Sequence, residues 1–244
     1  MPPLLADPAR SHPVLPPSFR LVTLRERDDA FRHACRLGAD AVGTLVWVPR
    51  FHLLELAVVL GPDEPLRSAR RAFYVGMAAL AYAVGAYAPP DKPVQFVWPD
   101  TLLFDRARLG GGRLGWPEGC GEDDTPDWLV FSAMVLLSKH GAGDSGLTPG
   151  STSLEDEGCE GQPGDLVGSF ARHLLRGFHL WSDEGFDAIG TEYTSRLAEP
   201  ETALRPRLAE NGDLLFGHPA KRLELGPALN HVGWLDARAG RPRL

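Results

Sequence analysis

Cysteine is scarce in this chain: Cys35, Cys120 and Cys159 are the three present in 244 residues. No CxxC pair and no paired histidines stand near them, which argues against a disulfide framework and a structural zinc site. Small buried or incidental thiols are the expectation. Long apolar runs are missing too, so no membrane span is expected. The opening MPPLLADPARSHPVLPPSFR is broken by proline and charge and lacks the apolar core of a signal peptide. It reads as a flexible leader over residues 1–19 of a cytoplasmic protein. Basic clustering is also lacking. The formal charge is −7 and arginine is dispersed, so no nucleic-acid partner is expected.

Several catalytic signatures are absent. The glycines of RLGGGRL (Arg108–Leu114) are not followed by Lys-Ser/Thr, so they do not form a phosphate loop. Ser132, Ser138 and Ser145 have no G-x-S-x-G setting, and His140 and His173 show no partner in sequence. The acidic stretches EGCGEDD and SLEDEGCE lack EF-hand spacing, and no metal site is assigned.

Hydrophobic patterning supplies the elements that are present. Arg27–Leu37 reads as a helix stopped by Gly38. Gly43–Val48 and Leu53–Leu60 read as buried strands joined by only Pro49–His52. From Leu66, apolar residues recur at Ala69, Phe73, Met77, Leu80, Val84 and Tyr87, the stripe of a helix of about six turns. Strands are expected at Val94–Trp98, after Gly112 and at Trp128–Leu137, with Lys139–Gly164 as a long surface loop. Two helical stripes follow, Leu166–Trp181 and Phe186–Leu197. Asn211-Gly212 between apolar runs marks a hairpin. Tight links between strands imply an α/β (α+β) fold whose sheet is mixed and largely antiparallel, flanked by helices. The expected organisation is a domain over residues 20–199 and a small β-rich appendage over 200–244.

The segment QFVWPDTLLFDRARLGGGRLGW (Gln95–Trp116) resembles the biotin/lipoate A/B protein ligase family. Biotin protein ligases carry KWPNDLL there, then a short turn, a lysine and a Gly-Ile-Leu strand. Trp98, Pro99, Leu102, Leu103, Asp105 and Gly111 fall on that pattern without a gap. GTLVWV upstream, and TSLEDEG (Thr152–Gly158) and GFDAIGTEYTSRL (Gly185–Leu197) downstream, keep the family's order. The resemblance implies a class II aminoacyl-tRNA synthetase/biotin protein ligase-like domain. It also implies ATP-dependent, Mg²⁺-assisted attachment of biotin or lipoate to a lysine of a carrier domain. The implied ligand site holds Trp47, Arg50, Trp98, Pro99, Asp100, Arg108, Gly110, Gly111 and Gly112. Arg108 would pair the carboxylate as the catalytic cation, and Trp47 or Trp98 would wall the apolar part.

The chain departs from the family where the chemistry is done. Adenylate formation needs donors around phosphate and carboxylate, and a loop that shuts water out. Between Trp47 and Leu53 there is no room for the family's arginine- and glycine-rich loop, and Arg50 is the one cation left. The lysine before Trp-Pro is Val97, the asparagine is Asp100, the next aspartate is Thr101, and a lysine is replaced by Arg108. Asp100 is an acceptor-only anion that could still hold Mg²⁺ beside a nucleotide. One lost transition-state donor costs about 3 kcal/mol, and several are missing here. Three readings stay open: a ligase of reduced or lost activity that binds a small acidic ligand, a non-catalytic relative that binds a biotinylated or lipoylated carrier or another partner, and an ATP-independent acyltransferase using Cys120.

Overall fold

The computed structural model describes residues 12–140, 148–198 and 206–244. Its centre is a seven-stranded sheet built from β1 (Arg20–Thr23), β2 (Thr44–Pro49), β3 (Leu53–Leu60), β4 (Val94–Val97), β5 (Thr101–Phe104), β6 (Ala107–Gly115) and β7 (Leu129–Leu136). The strand order is β1-β2-β3-β7-β6-β5-β4, antiparallel throughout except for the parallel pair β1–β2. The largely antiparallel sheet expected from the tight strand links is therefore present.

Two layers cover this sheet. On one face lie α2 (Leu66–Ala69), α3 (Ala72–Gly85), α4 (Pro163–Glu184) and α5 (Phe186–Thr194). Helix α3 is apolar on nearly every side because it is sandwiched between the sheet and α4, and nearly all of its residues are buried. On the other face α1 (Ala30–Leu37) packs Ala30 and Ala34 against Val46, Val48, Ala57, Val59 and Val130. Asp29 caps α1 by accepting from the Arg32 amide at 2.8 Å.

The six-turn helix expected from Leu66 is broken at Arg70–Arg71. There the amides of Arg71, Phe73 and Tyr74 bond three residues back, and the arginine side chains turn outward to Glu122 and Glu64. Strand β5 was not expected. It joins β6 through Asp105 and Arg106, both at positive φ (46° and 67°), a tight hairpin without the Asn-Gly signal. The stretch expected to be a surface loop is partly packed: Ser151, Thr152, Ser153 and Leu154 are buried, and Arg108 bridges Ser151. Residues 141–147, which include Ser145, lie outside the described residues, as do 1–11 and 199–205. Within the segment read as a leader, Pro13 is buried and Leu15 and Phe19 pack on the core.

The C-terminal piece holds β8 (Arg207–Leu208), β9 (Leu214–Phe216), β10 (Lys221–Leu223), α6 (Leu225–Leu229), β11 (Leu235–Asp236) and β12 (Arg241–Pro242). The expected hairpin pairs β8 with β9. Tyr74 ties this piece to the sheet layer: its hydroxyl donates to the Gly212 carbonyl at 2.6 Å and accepts from Trp98 Nε1 at 2.9 Å. Tyr74→Phe leaves both groups unmatched in a buried setting, so a loss of about 2 kcal/mol is expected from urea unfolding at neutral pH. A change below about 0.5 kcal/mol would show that the piece is not held through this hydroxyl.

Candidate functional site

Strand register sorts the predicted residues onto the two faces of the sheet. Trp47, Leu56, Ala133 and Gly112 lie opposite one another in one row, and that row faces the helices, because a Cβ on Gly112 would meet Met77 and Phe131. The next row is Val48, Glu55, Met134, Gly111 and Thr101, on the other face. Trp47 is therefore turned into the helix-side core, 3% exposed, and does not join Gly111. Trp98 also leans to the helix side, where it reaches Tyr74.

Asp100, Gly111 and Gly112 are brought together. The Gly112 amide donates to the Asp100 carbonyl at 2.9 Å, and Tyr193 fixes the neighbouring Pro99 carbonyl at 2.8 Å. The Asp100 carboxylate is buried and accepts from the Gly233 amide at 3.0 Å and from Thr101 Oγ1 at 2.9 Å. Burial pushes its pKa up, against the lowering effect of these two donors. With both oxygens engaged, Asp100 does not fit the role of a Mg²⁺ ligand. No group of three or more His, Cys, Asp or Glu suited to a metal occurs among the described residues.

The space in front of Gly111 is filled by an indole from the C-terminal piece. Trp234 is 1% exposed, packs with Leu53, Met134 and Leu136, and donates from Nε1 to the Gly112 carbonyl at 2.9 Å. A Cβ at Gly111 would lie 2.2 Å from the Asp100 carbonyl oxygen and 2.4 Å from Trp234 Cδ1. The glycine is thus required by a close approach, as the sequence suggested, and the approaching group is the protein's own side chain. A cavity of about 460 Å³ opens elsewhere, between the end of β3 and α4, lined by Phe19, Leu60, Leu129, Leu175, Phe178 and Trp181. None of the predicted site residues lines it.

Charges on the open face are mostly spent on one another. Arg50, in the three-residue link 50–52 between β2 and β3, donates to the Asp28 carbonyl at 2.7 Å and pairs with Glu55 at 2.9 Å. Glu55 is fully buried and also accepts from the Ala30 amide at 2.7 Å; burial raises its pKa, while that amide and Arg50 work against the rise. Arg113, directly across from Ser132, lies over the Phe31 ring at 4.0 Å and reaches Asp29 at 3.5 Å. Its Nε and the hydroxyl of fully buried Ser132 meet no hydrogen-bond partner. Arg108 lies beyond a bulge on the same strand, beside Gly150, and its Nε is also unmatched. Sequence reading missed Glu55, Arg113, Ser132 and Trp234. A lone acid inside LLELAVVL and an arginine two residues past Gly111 were the available signals.

Cys120 is not placed for acyl transfer. It sits on the β6–β7 connection where Glu122 and Asp124 accept from the start of α2, and not beside Gly111. Burial and the neighbouring Asp124 and Asp127 push its thiol up, away from the thiolate that a nucleophile needs. Ser138 and Glu155 both contact Nδ1 of His140, at 2.6 and 2.9 Å, so the three do not form a relay through the two ring nitrogens.

Comparison with known proteins gives the family and the fold. The description "Biotin/lipoate A/B protein ligase family" matches residues 15–195. A biotin protein ligase-like protein of unknown function from Silicibacter sp. TM1040 is 27% identical, with a TM-score of 0.74 over 88% of this chain and 97% of that one. The biotin protein ligase of Aquifex aeolicus is 14% identical, with a TM-score of 0.65 over 85% and 96% of the two chains. Its complex with biotin and ATP is 13% identical, with a TM-score of 0.62 over the same shares. No curated protein matches.

Asp100 gives a pH test of the contact with Gly233. A carboxyl with a raised folded pKa favours folding below its unfolded pKa, and that contribution is lost as pH rises through the folded value. Asp100→Asn keeps an acceptor for Gly233 but carries no buried charge at any pH. Its stability relative to the parent is expected to be highest at neutral pH and to decline towards about pH 4. A relative stability that rises on acidification would contradict the burial of a charged Asp100.

Proposed function

Because the chain belongs to the biotin/lipoate A/B protein ligase family, we propose that it recognises a short acyl acid of the biotin or lipoate class without activating it through ATP. The observation that carries this reading is the state of the charges on the sheet face opposite α3, beside α1. Arg113 Nε and Ser132 Oγ are buried donors without partners, the kind of group that a bound carboxylate or amide satisfies. Arg50 also keeps an unmatched Nε, but one of its terminal nitrogens is held by Glu55 and Asp28, and the link that carries it is three residues long.

The solved relative from Aquifex aeolicus binds biotin and ATP together. The same chemistry here would need donors along the nucleotide phosphates and a covering loop, and residues 50–52 supply neither. Asp100 does not stand in for them, since its carboxylate is held by Gly233 and Thr101. In this reading Arg113 takes the role that the sequence gave to Arg108, and Arg108 stays a second cation along β6. What the chain itself does is bind and orient an acid, and no acyl-adenylate step is assigned to it.

Titration calorimetry with biotin and with lipoate tests the assignment. Weak binding of at least one acid to the parent is expected, with affinity unchanged by ATP and Mg²⁺. Arg113→Ala should weaken binding at least tenfold, the effect of losing one charged hydrogen bond of about 1.5–3 kcal/mol. Equal affinity in the parent and Arg113→Ala, or no binding of either acid even when Trp234 is replaced by alanine, sinks the proposal.

A further inference from the structure

The last fourteen residues, 231–244, rest on the sheet through one small apolar cluster, Val232, Trp234, Leu235 and Leu244 on Leu53, Met134 and Leu136. Within them Trp234 and Pro242 are buried, and the remaining residues are exposed or half-buried. Their regular structure is the two-residue pair β11–β12. Most of the hydrogen bonds close on the segment itself: Arg243 N–H to the Trp234 carbonyl at 2.8 Å, Gly240 N–H to the Asp236 carbonyl at 2.8 Å, and Arg238 N–H to the Asp236 carboxylate at 2.8 Å. Two bonds reach the sheet, from Gly233 N–H to Asp100 and from Trp234 Nε1 to Gly112, and both end beside Gly111. The hairpin is thus anchored chiefly by one indole, with Val232, Leu235 and Leu244 packed beside it.

What the indole covers has the character of a ligand recess. Its floor is apolar, from Leu53, Met134 and Leu136. Its back wall is bare main chain at Gly111, with the Gly112 carbonyl as an acceptor. Along the same strand stand Arg113 on one side and Arg108 on the other, each with an unmatched Nε. An apolar floor, one backbone acceptor and flanking cations suit an acid with an apolar body. The indole satisfies the floor and the acceptor and leaves the Nε of each cation unmatched.

We propose that the 231–244 segment is an intramolecular competitor, with Trp234 holding the recess over Gly111 until an acyl acid displaces it. This rests on the acid-binding reading given above and adds its regulation. A site whose competent form is a minor fraction binds with an apparent affinity lowered by that fraction, and removing the occupant restores it. The two occupancies are also reciprocal: if the segment weakens acid binding, bound acid must loosen the segment to the same degree.

The test combines calorimetry with hydrogen exchange on the full chain, using biotin and lipoate as probes. Trp234→Ala is expected to bind at least one acid ten times or more tighter than the parent. Trp234→Phe, which keeps a ring but loses the N–H donor, should fall between them. In the parent, saturating acid should speed exchange of amides in 232–243 while β3 stays protected. An affinity change within twofold in a folded Trp234→Ala, with 232–243 already exchanging freely, overturns the competitor and leaves the acid site standing. Faster binding-independent exchange with no acid bound by any variant overturns the acid site itself, and the competitor with it. Should Trp234→Ala fail to fold, the parent decides alone: acid that binds without loosening 232–243 contradicts the proposal.

Discussion

The contact between the Trp234 indole and the main chain at Gly111 and Gly112 is possible because β6 carries no side chain there. Any Cβ at Gly111 would collide with both the indole and the Asp100 carbonyl. Several other features follow from that close approach. The Asp100 carboxylate is buried because Gly233 comes with the indole and donates to it. The open face has an apolar patch of Leu53, Met134 and Leu136 that would otherwise meet water, and Trp234 covers it. The C-terminal piece is fixed from its other end by Tyr74 and Gly212, so it spans both sides of the Trp98–Asp100 corner.

The same face is the basis for proposing the family fold without the family's adenylation step. An acyl-adenylate demands free cations and a covering loop. Here Glu55 enters the centre of an apolar strand and requires a counter-charge, because an unpaired buried carboxylate is costly. Arg50 supplies it through one terminal nitrogen. Glu55 also accepts from the first amide of α1, so the cation that remained in the shortened β2–β3 link now serves the packing of a helix. Arg113 is paired loosely, with Asp29 at 3.5 Å, and its Nε and the Ser132 hydroxyl stay without hydrogen-bond partners, which is why they carry the functional reading.

Much of the scaffold was legible because its patterns are local. Leu53–Leu60 is a continuous apolar run between turn signals, and its bounds agree with the structure residue for residue. The long α3–α4 packing followed from stripes at helical spacing. The failures have equally local causes. The break at Arg70–Arg71 falls between Ala69 and Phe73, which remain four apart, so periodicity does not register it. The turn at Asp105–Arg106 uses two residues that seldom take positive φ, so β5 carried no hairpin signal. The site was only half legible. The sequence showed that something must lie close to Gly111, but the group that does so is about half the chain away, 122 residues from its partner Gly112. Face assignment also failed for Trp47, since one residue of register decides which side a strand residue takes.

We propose that this chain keeps the ligase scaffold and an acid-binding face but not the adenylation step. It is tested most directly by ATP–pyrophosphate exchange with biotin or lipoate and Mg²⁺, which reads acyl-adenylate formation without needing the carrier. No exchange above the acid-free blank is expected, for the parent and for Trp234→Ala alike. Acid-dependent exchange in either protein would contradict it.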